Sequence, residues 1–153
     1  MTEVNHRQYT TRRSAIVDAL VEKLKEINLT GNFLTDLYEE VYPRLKFWDE
    51  VEVFPALHLN AGAETRDYQG GAYKDRYLTV TVRCYVKEED AVVALDKLLE
   101  DVETVIEENG RLAYTDKQGN TQYTHDILIL SIDTDEGVLE PFGVGEVLLQ
   151  VHY

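Results

Sequence analysis

The pattern of apolar and polar positions along the chain predicts two amphipathic helices. From Thr11 to Ile27, apolar residues recur at steps of three and four while charged residues fall mostly on the other side. Asn28 to Gly31 provide the stop signal. The same spacing predicts a second helix from Glu88 to Glu108, with acids crowding its first turn and Asn109-Gly110 ending it. Each helix has an apolar side that must pack against other elements.

Alternation with a period of two predicts the clearest strands. Arg76 to Val86 places apolar side chains at every even position from Leu78 onward, which is typical of a strand with one face in the core. Gly145 to Tyr153 shows the same alternation and is predicted as the last strand. Ile127 to Ile132 is predicted as a buried strand, because its residues are almost all apolar.

The remaining segments have weaker patterns. Asn32 to Val41 is interpreted as a strand or extended segment ended by Pro43, and a further strand is predicted from Val51, with Pro55 indicating an edge position or a bulge. Asn60 to Asp75 contains three glycines among polar residues and tyrosines, which predicts a long loop or a projecting hairpin tip. Thr115 to Asn120 is predicted as a turn between two short arms.

Together these elements predict an α+β (α/β) fold. We expect one domain over residues 1–153, in which a mainly antiparallel twisted sheet carries two helices packed on one face. Residues 1–10 are predicted to form a flexible N-terminal tail. No repeat, linker or second domain is indicated.

Charge and cysteine content narrow the function classes. The chain has 29 acidic and 15 basic side chains and a formal net charge of -14, which disfavours binding to phosphate backbones and anionic lipids. A single cysteine, Cys84, excludes an internal disulfide and suits a reducing cytoplasm. Neither a signal peptide nor a stretch long enough to cross a membrane is expected.

No residue pattern indicates catalysis, a cofactor or a metal. The histidines at positions 6, 58, 125 and 152 are far apart in the sequence, and His58 and His152 are expected to be half-exposed on strands. Asp133 to Gly137 fails as a calcium loop, since its glycine comes one place early and Val144 replaces the bidentate acid, so a solvated acidic turn is predicted. Gly143-Val144-Gly145 precedes a strand rather than a helix, which excludes a dinucleotide loop.

The cysteine and the tryptophan are interpreted as structural residues, and a group of tyrosines as contact residues. Cys84 is expected to be a small core residue, and Trp48 part of an aromatic corner that closes the core. Tyr68, Tyr73 and Tyr77 cluster in or beside the segment Asn60 to Asp75, and tyrosine is enriched in protein interfaces. This segment is therefore a candidate contact element, although a decorated hairpin without a partner is an equally good account.

Read in order, several segments resemble the tail terminator proteins of long-tailed bacteriophages. The resemblance covers nearly the whole chain, and its most specific parts are Ile132 to Gly137 (IDTDEG) and the ending from Pro141-Phe142-Gly143 to Tyr153. The other matching segments are Asn32–Tyr42 (NFLTDLYEEVY), Phe54–Glu64 (FPALHLNAGAE), Arg76–Val86 and the acidic second helix with its Asn-Gly stop.

The resemblance implies a virion protein that is assembled in the host cytoplasm and is not an enzyme. Six copies are expected to form a ring on the head-proximal end of the tail tube, where the ring stops tube growth and provides a docking surface for the head-completion (connector) protein. DNA would pass through the lumen without specific binding, and the acidity of the chain would suit that role.

The resemblance also suggests interface residues. We expect the segment Asn60 to Asp75, with Arg66, Tyr68 and Tyr73, to reach the tube or a neighbouring subunit. Asp135 to Phe142, with Asp135, Glu136 and Phe142, is expected at the rim of another interface.

Two other classes of function stay open on the sequence. The chain could be another head–tail joining or tube-like morphogenetic protein, because such proteins share small α/β architectures. It could instead be a small-molecule binding module or an enzyme whose site has no motif, for which the sequence gives no positive support.

Overall fold

The computed structural model describes residues 10–153 as one α+β domain. Along the chain the elements are α1 (Arg12–Leu24), β1 (Val41–Tyr42), β2 (Ala56–Tyr68), β3 (Lys74–Lys87), α2 (Ala91–Glu108), β4 (Ala113–Thr115), β5 (Thr121–Tyr123), β6 (Asp126–Thr134) and β7 (Phe142–His152). The main sheet has the order β1-β2-β3-β7-β6, and β4 and β5 form a small separate hairpin. Every pair in the main sheet is antiparallel except β1 with β2. The predicted fold class is confirmed; the predicted tail falls almost wholly outside the described residues.

Both helices pack on one face of this sheet. The alternating side chains of β3, from Leu78 to Val86, and the inward residues of β7 join the buried sides of α1 and α2 in a single core. Cys84 is fully buried in this core, as predicted, and burial raises the pKa of its thiol. On the other face of the sheet, a small cluster of Val51, Ala56 and Tyr85 is covered by Phe54 and Val144.

The helix boundaries follow local capping chemistry. At the start of α1, the Thr11 hydroxyl accepts a bond from the Ser14 backbone N–H, and the Ser14 hydroxyl accepts one from the Thr11 N–H. The second helix begins at Ala91, later than predicted, because Asp90 is its N-cap. The first turn of α2 consequently contains no acids, contrary to the prediction.

For Asn32 to Val41 the strand alternative is wrong, and the strand predicted from Val51 starts later than expected. In the segment Asn32 to Val41 only the last residue pairs in the sheet. The buried Asp101 carboxylate on α2 accepts hydrogen bonds from backbone N–H groups near the start of this segment, and Tyr38 and Glu39 have positive φ, so the segment does not extend as a strand. The strand predicted from Val51 begins only at Ala56, directly after Pro55, which has no N–H to donate. Val51 packs instead in the small cluster on the outer sheet face.

The segment Asn60 to Asp75 is a hairpin and not a long loop. Strand β2 continues to Tyr68 and β3 starts at Lys74, so that only 69–73 form the turn. The arm extends past the core, so its side chains can be polar. Its two strands are held together by hydrogen bonds between their backbone groups. A β-bulge between Ala61 and Glu64 marks where this arm leaves the core. The turn predicted at 115–120 is confirmed between β4 and β5.

Strand β6 is an edge strand rather than a buried one. Ile127 is buried, whereas Leu128 and Leu130 are each about half exposed. Apolar runs do not distinguish a central strand from an edge strand, and this one has a neighbour only in β7.

Strand β7 begins at Phe142, three residues before the predicted start. Its two glycines allow α2 to approach closely: a Cβ on Gly143 would lie 3.1 Å from the Ala91 carbonyl oxygen, and one on Gly145 would lie 3.1 Å from Leu95 Cδ1. The same Cβ on Gly143 would also lie 2.7 Å from Val86 Cγ2 on β3.

Candidate interaction surfaces

The β2–β3 hairpin forms an arm that presents aromatic side chains to solvent. At its tip, Tyr68 and Tyr73 are 72% and 75% exposed. The turn between them is closed by the Gln69 N–H, which donates to the Tyr73 carbonyl at 2.7 Å, and Gly71 and Ala72 adopt positive φ within it. Exposed tyrosines on an ordered turn lose little conformational entropy on binding, so the tip suits a contact role.

The base of the arm is held by a buried carboxylate that sequence reasoning missed. The Tyr153 hydroxyl donates to Glu64 Oε1, and Arg66 Nε donates to Glu64 Oε2 at 2.8 Å. Burial alone would raise the pKa of Glu64, but the bonds from Tyr153 and Arg66 outweigh it and lower the pKa. Burial and the bond to Glu64 raise the pKa of Tyr153 to about 12. Arg66 therefore has a structural partner as well as its predicted place on the arm.

A second polar cluster lies on the outer face of the arm. Asp75 Oδ1 lies 2.9 Å from His152 Nε2, and the His152 ring stacks on Tyr77 with centroids 4.7 Å apart. The bond to His152 lowers the pKa of Asp75 despite some desolvation. His152 is partly exposed, as predicted.

The β6–β7 connection contains the other predicted interface residues. Asp135 accepts bonds from the N–H groups of Leu139 and Val144, both at 3.1 Å, so it organises the turn from within. Glu136 has a φ of 56° and precedes Gly137 at 83°, which fixes the reversal of the chain. Asp133 and Thr134 belong to β6, so the predicted acidic turn begins only after them.

Phe142 belongs to an aromatic corner at this end of the sheet. Its ring centroid lies 5.5 Å from that of Trp48 and 5.6 Å from that of Phe54. Lys87 Nζ lies 5.2 Å from the same ring. Trp48 is thus in an aromatic corner, as predicted, but this corner covers the outer sheet face and not the main core.

The six predicted interface residues fall into two separate groups. Strand β3 pairs with β7 from Tyr77 to Lys87, and Arg66, Tyr68 and Tyr73 lie on the arm beyond Tyr77. Phe142 pairs with Lys87 at the opposite end of β3, beside Asp135 and Glu136. At about 3.4 Å per residue, the paired part of β3 from Tyr77 to Lys87 spans roughly 34 Å. The two groups can therefore serve two different contacts.

Two buried polar groups were not anticipated. His58 is only 2% exposed, which corrects the prediction of a half-exposed ring. Its Nδ1–H donates to the Arg44 carbonyl at 3.0 Å, its ring stacks on Tyr42, and Nε2 has no hydrogen-bond partner among the described residues. Burial lowers the pKa of His58, and the nearby charges of Lys46 and Arg44 act in the same direction. Both effects favour the neutral form of the ring.

Asp101 is the other buried group, at 2% exposure in the middle of α2. Its carboxylate accepts bonds from the backbone N–H groups of Leu34, at 3.0 and 3.1 Å, and Thr35, at 2.8 Å. It therefore fixes the α1–β1 connection on the helix. The sequence signal was present, because Asp101 interrupts the apolar stripe formed by Leu98, Val102 and Val105.

Neither a metal site nor a membrane helix is found in residues 10–153. No group of three or more His, Cys, Asp or Glu side chains there is arranged to hold a metal ion. No helix in the same range is long and apolar enough to cross a bilayer.

Comparison with known proteins identifies the family. The family model described as "Bacteriophage Tail Tube Terminator Protein" matches residues 10–153. The chain belongs to this family. The resemblance noted in the sequence is therefore confirmed.

A curated relative agrees with this assignment, and a solved structure has a similar fold. The tail tube terminator protein p142 of Escherichia phage T5 is 30% identical over 150 residues, with 92% of each chain covered. A chain from the virion of a native gene transfer agent particle has a similar fold, with a TM-score of 0.59 over 90% of this chain and 93% of that one. Its sequence identity of 9% limits that comparison to the fold.

Proposed function

We propose that this protein forms a hexameric ring that caps the head-proximal end of a phage tail tube, stops tube polymerisation and provides the docking surface for a head-completion protein. The observation that carries the proposal is the match of the tail tube terminator family to residues 10–153. The role is structural, and the partners are further copies of the chain, the tail tube protein and the connector.

The geometry of the chain supports a ring. A cyclic ring requires each subunit to use two different patches, one for each neighbour. The arm tip with Tyr68 and Tyr73 and the β6–β7 connection with Glu136 and Phe142 lie at opposite ends of β3. Each patch exposes large hydrophobic side chains, since Tyr68 and Tyr73 are exposed at the arm tip and Val138 in the connection is 82% exposed.

The acidity supports a lumen through which DNA slides. With a net charge of -14 per chain, a ring would repel phosphate and form few of the ionic contacts that give DNA its affinity for proteins. The virion, at the junction of tail and head, is the location that this role requires.

Addition of the purified protein to polymerising tail tube protein tests the proposal. We expect shorter tubes with extra density at one end, in proportion to the protein added. The double variant Tyr68→Ser/Tyr73→Ser should cap fewer tubes, while Tyr38→Ser, which removes a tyrosine that is 73% exposed elsewhere, should cap normally. Unchanged tube lengths and bare ends with the wild-type protein would refute the proposal.

A further inference from the structure

Cationic side chains of this acidic chain converge on one cleft. The cleft has a volume of about 400 Å³ and lies where the start of α1, the β2–β3 arm and the β4–β5 turn meet. Six of the fifteen Lys and Arg residues of the chain line it: Arg12, Arg13, Arg66, Lys74, Arg76 and Lys117. Among the described lining residues, Asp116 is the one acid. We call this surface the basic cleft; its charge is opposite to that of the chain as a whole.

The fold maintains charge repulsion inside the basic cleft. Arg66 lies directly opposite Arg76 in the β2–β3 register, and Lys74 is two residues from Arg76, on the same face of the strand. Like charges directly opposite each other destabilise a sheet. Glu64 pairs with Arg66 at 2.8 Å, and Arg76 lies 5.3 Å from the centre of the Tyr153 ring, so this pair is only partly compensated.

Three exposed cations of the cleft form no salt bridge with another described residue. Arg12, Lys74 and Lys117 are exposed, and none of them forms a salt bridge with another residue in the range 10–153. A concave surface with an excess of positive charge is suited to carboxylates or phosphates supplied by a partner.

The chain carries a surface of complementary charge on α2. Asp96, Glu100, Glu103 and Glu107 follow each other at steps of four, three and four, which places them along one side of the helix. We call this side the acidic ridge; it extends about 16 Å at 1.5 Å per residue. Like charges at these spacings repel, and in the described part of the chain these carboxylates form no salt bridge.

We infer that the basic cleft of one copy binds the acidic ridge of the next copy, an inference that rests on the ring proposed above. Cleft and ridge are different surfaces of one chain, so the contact is heterologous and repeats from subunit to subunit. Two chains with a net charge of -14 repel each other at long range, and a local contact between opposite charges offsets that repulsion where they meet.

Carboxylates of a second copy fit the cleft better than DNA does. Both ligands would approach against the same net negative charge. A second copy, however, brings a basic cleft of its own along with its ridge, so that each added subunit forms new favourable pairs. A DNA backbone contributes only negative charge.

Charge-swap variants test the inference. The cleft variant is Arg12→Glu/Lys74→Glu/Lys117→Glu, and the ridge variant is Asp96→Lys/Glu100→Lys/Glu107→Lys. All six positions are exposed, so we expect both variants to fold. The control variant Lys23→Glu/Arg44→Glu/Arg111→Glu has the same net charge as the cleft variant and changes exposed or partly exposed residues outside the cleft.

Assembly is measured by sedimentation velocity over a concentration series, and by ring formation on tube ends if the tube is required as a template. We expect the cleft and ridge variants each to need at least about tenfold more protein for half-assembly, because three modest ion pairs are lost and reversed. The control should stay within about threefold of wild type. One chain with both sets of changes should recover, and so should an equimolar mixture of the two variants, because each then meets an oppositely charged surface.

Four results would overturn the inference. The first is normal assembly of the cleft variant, and the second is a failure of the combined variant to recover although it is folded. The third is normal ring formation with lost tube capping, which would assign the cleft to the tube protein. The fourth is normal ring formation with lost binding to a DNA duplex, which would assign it to phosphates. Wild-type protein that neither assembles nor caps tubes would instead refute the proposed function.

Discussion

Replacement of Asp101 by alanine should destabilise the protein more than any change on the exposed side of α2. Asp101 is 2% exposed, and its carboxylate accepts hydrogen bonds from two N–H groups, that of Leu34, which is shared between both oxygens, and that of Thr35. Hydrogen bonds to charged groups contribute about 1.5–3 kcal/mol each, but water can reach the freed donors because Leu34 is 51% exposed. Relief of the buried charge and the helix propensity of alanine offset part of the loss. A net cost of about 2–3 kcal/mol remains.

Thermal and denaturant unfolding measure this cost. For a chain of 153 residues, about 2–3 kcal/mol corresponds to a fall in Tm of roughly 4–12 °C. The control is Asp96→Ala on the exposed side of the same helix, which should change stability by less than about 0.5 kcal/mol. Hydrogen exchange at the amides of Leu34 and Thr35 should accelerate in the Asp101 variant alone. Equal stability of the two variants, with unchanged exchange at both amides, would refute this account of the α1–β1 connection.

Other changes probe the core, the buried histidine and the base of the arm. Gly143→Ala should cost about 1–3 kcal/mol of unfolding free energy, because its Cβ would lie 2.7 Å from Val86 Cγ2; a wild-type Tm would contradict this. His58 has a folded-state pKa below 6.5, so the unfolded chain takes up the proton first and stability should decline as the pH falls below 6.5. His58→Phe should reduce the dependence of stability on pH between pH 7 and 5, measured by urea unfolding. An unaltered pH dependence would mean that another group causes it. Tyr153→Phe should lose about 1–2 kcal/mol through its bond to Glu64, and equal midpoints in urea for variant and wild type would contradict that role.

The periodic parts of the fold could be predicted because their signals are local. The amphipathic stripe of α2 and the alternation of β3 are properties of consecutive residues, and each reflects burial against a single core. The order of several segments along the chain indicated the family, and the match of the family model confirms that resemblance.

The errors arose where distant residues decide local structure. Asn32 to Val41 is not a strand because Asp101, more than sixty residues away in the sequence, binds its backbone. For Asn60 to Asp75 the composition left a long loop or a projecting hairpin tip open, and the hairpin is confirmed, since each half provides the hydrogen-bond partners of the other. In neither segment does the local sequence indicate the partner.

The candidate surfaces likewise include one that the local sequence predicts and one that it does not. Tyr68 and Tyr73 are exposed because they flank the glycine-containing turn at the end of the arm, and their role in an interface stays a prediction. The basic cleft could not be predicted, because its cations come from α1, both strands of the arm and the β4–β5 turn. Only the folded topology brings them together.

Electron microscopy of tails that carry an affinity-tagged copy of this chain tests the central claim most directly. Averaged images should show gold label and six-fold density at one end of the tail tube, the end that faces the head. Label along the tube, at the distal tip, or absent from tails altogether would contradict the role of a tail tube terminator.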